Sequence, residues 1–421
     1  MRRILAGHEV QPSAQQPSAV EHRPRQFISS CRSRVATWLF VAFFVSSFVA
    51  VQVFWGWKTA CQDPLAGLSA EQRMRELTPK YFSQQLLFPI LGHDQDWRHN
   101  PEYDYAANPF QYDNLPPNGV VAVRTNNLYS FEKVILPRLE QRNVSFFLVV
   151  WGTDRSPVHH PFFFQAAQHR LVLHQWIVNY ENGLPHTDKV SPFPIGVTYE
   201  NFYDCHFTLP ASAVSLLRPS TWVQPGISIR QRDQQIDSAR AAAPPTLARQ
   251  LSAFADFHFN RKFSSSAYAQ NRSEVYDRLK SNPLVHFQAG RKSWADNALL
   301  KTKHAFDISV VGVGADCYRT WEAILLGMIV ITQRPRLGPG QESFEQFLYR
   351  DMPVVLVDDW AEVTEVNLLR WRTEMVQRFG DNIAHNSTVQ DRLTAKYWKR
   401  KFSHPPSANQ HIWEEQSAAG L

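Results

Sequence analysis

The chain has 421 residues, enough for two domains of ordinary size that each bury a core. Its net charge of +6 is scattered, with no basic stripe interleaved by aromatic residues, so nucleic-acid binding is not expected. The four cysteines include no CxxC pair and no zinc-site spacing.

The first 34 residues carry Arg2, Arg3, Arg23, Arg25, Arg32 and Arg34 among Ser, Pro and Gln, the composition of a disordered cytoplasmic tail. Val35 to Trp57 (VATWLFVAFFVSSFVAVQVFWGW) has no charged residue and is long enough to cross a bilayer as a helix. The long leader and the lack of an A-x-A site favour a signal anchor over a cleaved signal peptide. The basic side should stay cytoplasmic, which predicts a single-pass type II protein of the Golgi or endoplasmic reticulum membrane with its bulk luminal. Three sequons beyond the span, at Asn143, Asn271 and Asn386, agree with that side. Cys61, just outside the span, can pair between two chains, which would make a homodimer.

Residues 58–117 read as a polar stem and an irregular lead-in. An α/β domain is expected over 118–211, with strands at Val120–Arg124, Ser145–Gly152, Leu171–Asn179 and Val190–Glu200 and helices at Ser130–Arg142 and Phe162–His169. Strands alternating with helices predict parallel pairing with functional loops at the strand carboxyl ends. The loop WGTDRSPVHH holds Asp154, Arg155, His159 and His160. Asp154 and the two histidines are candidates for a general base, or else a turn cap and solvated loop residues. Residues 212–251, rich in Arg, Gln, Ala and Pro, read as a linker or surface insertion.

A second α/β domain is expected over 252–399, followed by a frayed tail at 400–421. It begins with a strand at Ala255–Asn260, a helix at Arg272–Lys280 and a short strand at Val285–Phe287. Its centre is FDISVVGVGADCYRTWEAILLGMIVIT, Phe306 to Thr332, which reads as strand, glycine loop, helix and strand. Gly312 and Gly314 let the backbone approach a ligand, and Asp316 is a suitable N-cap for a helix start that favours anions. Arg319 and Glu322, three residues apart, share one helix face. The guanidinium suits phosphate oxygens and the carboxylate suits ribose hydroxyls; the alternative is an exposed ion pair on an ordinary helix. A dinucleotide site is disfavoured because VGVGADCY lacks the third glycine of G-x-G-x-x-G.

DCYRTWEAILLGMIVIT, with MPVVLVDDWAEVT at Met352–Thr364, resembles the donor-binding half of exostosin-type glycosyltransferases over Asp256–Trp371. The resemblance implies a GT-B fold, two Rossmann-like domains facing a cleft, here preceded by a single transmembrane helix. It implies that Arg319 contacts the donor diphosphate and Glu322 the ribose. It also implies a basic residue after the first strand of this half on the phosphates, where Arg272 matches and Arg261 and Lys262 are rivals. A Gly-x-x-Asp loop near the interdomain cleft favours Asp154, and Trp176 and Asn179 would lie beside that cleft. Donor binding is thus assigned to Gly312, Gly314, Asp316, Arg319, Glu322 and Arg272, and catalysis to Asp154 and His159. The expected activity is inverting transfer from a nucleotide-sugar, a UDP-sugar foremost, to a glycan or glycoprotein. No metal is expected, since the D-x-D match Asp94-Gln95-Asp96 follows no nucleotide-binding strand. A catalytically inactive, membrane-tethered glycan-binding protein of the same fold is the alternative.

Overall fold

The computed structural model describes residues 68–91, 112–152, 165–179, 189–199, 227–258, 271–290, 292–312, 314–337 and 343–405. All belong to one compact unit made of 63–206 and 224–421. The apolar span Val35–Trp57 lies outside the described residues, and no described helix is long and apolar enough to cross a membrane.

Helix α1 (Ala70–Leu77) opens with a capping box in which Ser69 and Gln72 satisfy each other's backbone N–H groups. The following residues Tyr81, Phe82, Leu86 and Leu87 are fully buried, so 68–91, within the stretch expected as stem, belongs to the core. Their apolar pairs follow neither a strand nor a helix period, and only the partner surfaces bury them.

Strands β1 (Gly119–Arg124), β2 (Phe146–Trp151), β3 (Val172–Ile177) and β4 (Val190–Pro192) form a parallel sheet in that order. Their near-continuous apolar runs suit a sheet covered on both faces. The β1–β2 crossover passes through a π-helical stretch, Phe131–Ile135, into α2 (Leu136–Gln141). Pro137, which lacks an N–H, stands where the regular bonding is interrupted. The strand expected over Val190–Glu200 is confined to its first three residues.

Within the expected linker, α3 (Ile229–Ala241) is a capped helix that buries Ile229, Arg232, Ile236 and Ala239, and so packs instead of being solvated. The second sheet contains β5 (Gln250–Ala255), β6 (Val285–Phe287), β7 (His304–Ile308), β8 (Ile329–Gln333) and β9 (Val354–Val357). All pair in parallel in the order β6-β5-β7-β8-β9. The intervening helices are α4 (Arg272–Leu279), α5 (Trp294–Lys301), α6 (Tyr318–Leu325) and α7 (Phe344–Tyr349). Strand β5 ends where the sequence pattern placed a strand start, so Asp256 lies just past its carboxyl end.

After β9 come α8 (Glu365–Phe379) and α9 (Ala395–Ser403). The latter overlaps the expected tail, and Trp398 and Phe402 are fully buried. The Phe402 ring lies 5.6 Å from Trp176 and 5.3 Å from Phe193, both edge-on, and Phe82 packs against it. Trp176 is therefore core, and the last described helix is built into the first sheet's core.

Candidate functional site

In chain order the second sheet's strands run second, first, third, fourth, fifth, so its topology reverses between β5 and β7. Parallel α/β sheets bind ligands at the carboxyl ends of strands flanking such a reversal. Asp256 follows β5, and residues 309–312 follow β7.

Asn271 caps α4, accepting from the N–H groups of Ser273 and Glu274, which makes Arg272 the first helical residue. The Arg272 side chain donates from Nε to the carbonyl oxygen of Val311 at 3.0 Å. Its Nη2 lies only 2.7 Å from where a Cβ on Gly312 would stand, so glycine there makes room for the guanidinium. Arg319, the second residue of α6, donates from Nη2 to Val310 O at 3.4 Å. The two arginines thus converge on consecutive carbonyls of one loop. Among the described residues that bond is the only hydrogen bond of the Arg319 guanidinium, so most of its five donors, the buried Nε among them, have no hydrogen-bond partner there. Gly314 accepts from the Gly312 N–H and closes the turn.

Behind Arg319 lies a charge cluster that sequence reasoning missed. Lys301, at the end of α5 and 2 % exposed, places Nζ 3.1 Å from Asp256 Oδ2 and 3.1 Å from Asp307 Oδ1. Asp256 also faces Arg319 Nε at 3.7 Å and accepts from Asn297 Nδ2 at 2.7 Å. Burial works against the Asp256 carboxylate, but Lys301 and Arg319 outweigh it and hold its pKa below the ordinary value. Burial likewise opposes the Lys301 ammonium, and the two aspartates overcome it and raise its pKa. Asp307, with no hydrogen-bond partner on either oxygen among the described residues, is pushed up to about 7 by burial. The readable signal was an acid inside an otherwise apolar strand.

Asp316 is not the N-cap. That position falls to Cys317, which makes no side-chain cap, and the half-buried Cys317 stands at the helix start rather than inside it. Asp316 is buried one residue earlier, where its carboxylate accepts from Trp321 Nε1, Tyr349 Oη, Cys317 N and Ile195 N at 2.7–2.8 Å. Its own N–H donates to Asn179 Oδ1 at 2.8 Å. Burial raises its pKa to about 6 against these donors. Asp316 therefore fastens the loop before α6 to residues around β4, and it leaves the helix start already facing a carboxylate.

Glu322 also reaches across, accepting from Thr198 N at 3.3 Å and from the Trp294 side chain. Burial raises its pKa, with Lys301 and Arg232 opposing. It is buried, not part of an exposed ion pair, and no Arg319–Glu322 bridge is present among the described residues.

Asp154, Arg155, His159, His160, Arg261, Lys262 and the Asp94/Asp96 pair lie outside the described residues. Gly152, just before residues 153–164, is described: its N–H donates to Gln84 Oε1, and Gln84 Nε2 donates to Tyr318 Oη, both at 3.4 Å. Gln84 thus links Gly152 to the first residue of α6, and nothing in its irregular surroundings signals this in the sequence. At the end of β9, Asp359 caps a 3-10 turn and pairs with Arg278, while Asp358 pairs with Arg334. Among the described residues no group of three or more His, Cys, Asp or Glu is placed to hold a metal.

No family model matches this chain, and no curated protein matches it. Among solved structures it is similar to the wall teichoic acid polymerase TagF, at 10 % identity over 68 % of this chain and 91 % of that one. The TM-score of 0.16 is too low to carry an argument about fold or function.

Proposed function

We propose that this chain is a nucleotide-sugar-dependent glycosyltransferase of GT-B architecture, with the donor held by the second sheet and the acceptor by the first. The observation that carries this reading is the Arg319 guanidinium, which makes one long hydrogen bond among the described residues, beside Arg272 and Gly312 at the β5/β7 reversal. A planar fork of donors matches diphosphate oxygens, and two arginines offset the charge a departing diphosphate acquires.

In the proposed reaction an acceptor hydroxyl oxygen attacks the donor's anomeric carbon. The bond from that carbon to the diphosphate oxygen breaks, the diphosphate leaves with the electron pair, and a base takes the hydroxyl proton. Asp154 or His159 would be that base, and attack opposite the leaving group would invert the anomeric centre. Glu322 would accept from the ribose with the acceptor capacity left beyond Thr198 and Trp294. The donor would be a UDP-sugar, the acceptor a glycan or glycoprotein, and the charge compensation metal-independent. The Val35–Trp57 span would hold the enzyme in the Golgi or endoplasmic reticulum membrane with its catalytic part luminal, and Cys61 would join two copies.

A thermal-shift screen against UDP-, GDP- and CMP-sugars tests the reading, since a ligand bound by the folded state alone raises the melting temperature. One donor class should stabilise wild-type protein and fail to stabilise Arg319→Ala. Glycan binding without any nucleotide response would favour the inactive binding protein.

A further inference from the structure

Buried ion pairs are seldom a net gain in stability, because two desolvated charges cost several kcal/mol each before their attraction is counted. The cluster behind Arg319 holds more negative charge than Lys301 alone can balance. Lys301 is matched by Asp307, deep in β7, at 3.1 Å. Asp256 stands on the other side of the same ammonium, and its second oxygen turns toward Arg319. It faces the Nε edge of the guanidinium, the edge nearest the main chain, at 3.7 Å, an ion pair without a hydrogen bond, and leaves the Nη side toward the loop at Val310. Asn297, one turn before Lys301 on α5, fixes the Asp256 carboxylate from the side.

We propose that Asp256 is a positioning residue for Arg319, held by Lys301 and Asn297, and that it orients the guanidinium's Nη face toward a nucleoside diphosphate. This rests on the reading of the site as a donor-diphosphate site. The long Arg319 side chain leaves α6 with several rotatable bonds, and its one hydrogen bond, at 3.4 Å, cannot define a direction. The Asp256 carboxylate lies 3.7 Å from Nε without a hydrogen bond, so it is its charge that biases the guanidinium before the ligand arrives, which is how a supporting shell sharpens a binding group.

The test is calorimetric titration of the full chain with UDP and GDP, and with uridine and guanosine as phosphate-free controls. In Asp256→Asn, which keeps an oxygen for Asn297 and leaves Lys301 beside Asp307, affinity for the diphosphate that wild type binds should fall about tenfold with the loss of the buried charge that faces Arg319. Affinity for the matching nucleoside should stay within about twofold, a split that general loosening of the fold would not produce. If Asp256→Asn does not fold, Asn297→Ala supplies the readout, with a smaller loss, about threefold, again confined to the diphosphate. Equal losses for nucleoside and diphosphate, or unchanged diphosphate binding in a folded variant, would overturn the positioning role. Failure of wild type to bind either diphosphate would instead remove the donor-site reading on which it stands.

Discussion

Arg272 and Arg319, forty-seven positions apart in the chain (319 − 272), are tied to the carbonyl oxygens of the adjacent residues Val311 and Val310. The convergence comes from the sheet order. A helix starting after β5 and a helix starting after β7 both begin at the carboxyl edge where the topology reverses, so side chains in their first turns face the same loop.

Gly312→Ala tests that closeness. The added methyl would lie 2.7 Å from Arg272 Nη2 and 3.5 Å from its Cζ, so the guanidinium must move. Diphosphate affinity should fall by about tenfold, while stability changes by less than ~1 kcal/mol because a side-chain end and not backbone gives way. Parallel titration calorimetry and urea unfolding separate the two effects.

Asp316→Asn should be costly despite its near-identical shape. Four donors point at the two carboxylate oxygens, and the amide would turn an NH2 group toward some of them. Leaving buried donors unsatisfied costs about 1–3 kcal/mol each, so a loss of roughly 2–4 kcal/mol is expected in denaturant unfolding. A loss below ~0.5 kcal/mol would mean that this junction is not a main fastening between the two sheets.

Phe402→Ala measures how far the last described helix belongs to the core. The ring is fully buried among Trp176, Phe193 and Trp398, and deleting it leaves a cavity that neighbouring rings fill poorly. A destabilisation of about 3–5 kcal/mol is expected by thermal or urea unfolding.

His304 gives a pH dependence with a definite sign. It is buried, bonded through Nδ1 to Ser252 Oγ at 2.8 Å, and stacked on His286. Burial, then His286 and Lys303, push its pKa down to about 4. The unfolded chain therefore takes up this proton at higher pH, near the ordinary histidine value of about 6.5. The stability it contributes is complete above that value and is lost as pH falls toward about 4. Melting curves of wild type and His304→Asn over pH 7 to 4, read as about 0.5-unit steps, should show the difference between them shrinking toward acid. A constant difference would refute the buried neutral histidine.

Much of the second sheet was legible because its strands are short apolar runs bounded by glycine, acid or helix-cap residues, as at Phe306–Ile308 and Met328–Thr332. The helix start at Arg272 was legible in the sequence, whereas the cap that Asn271 supplies to it was read only as a sequon. The pattern failed at 68–91, where Phe82 has no periodic neighbours to announce its burial, and at 227–241, where the buried face keeps a helical spacing but fills it with Arg232 and Ala239 beside Ile229 and Ile236. It also misassigned Asp316, since an acid before a helix is the usual sign of a cap, and only the approach of Tyr349, Trp321 and Ile195 gives it another task.

The sequence by itself determined the local vocabulary of this protein: two parallel α/β regions, a glycine loop between strand and helix, and arginines in the first turns of two helices. These depend on period, propensity and capping, which act over a few residues. Only the tertiary structure decided that Arg272 and Arg319 meet, that Asp256 and Lys301 stand behind them, and that Asp316 and Glu322 bond to residues near β4. Those relationships join positions far apart in the chain, and burial of charge in a crowded interior has no short-range signature.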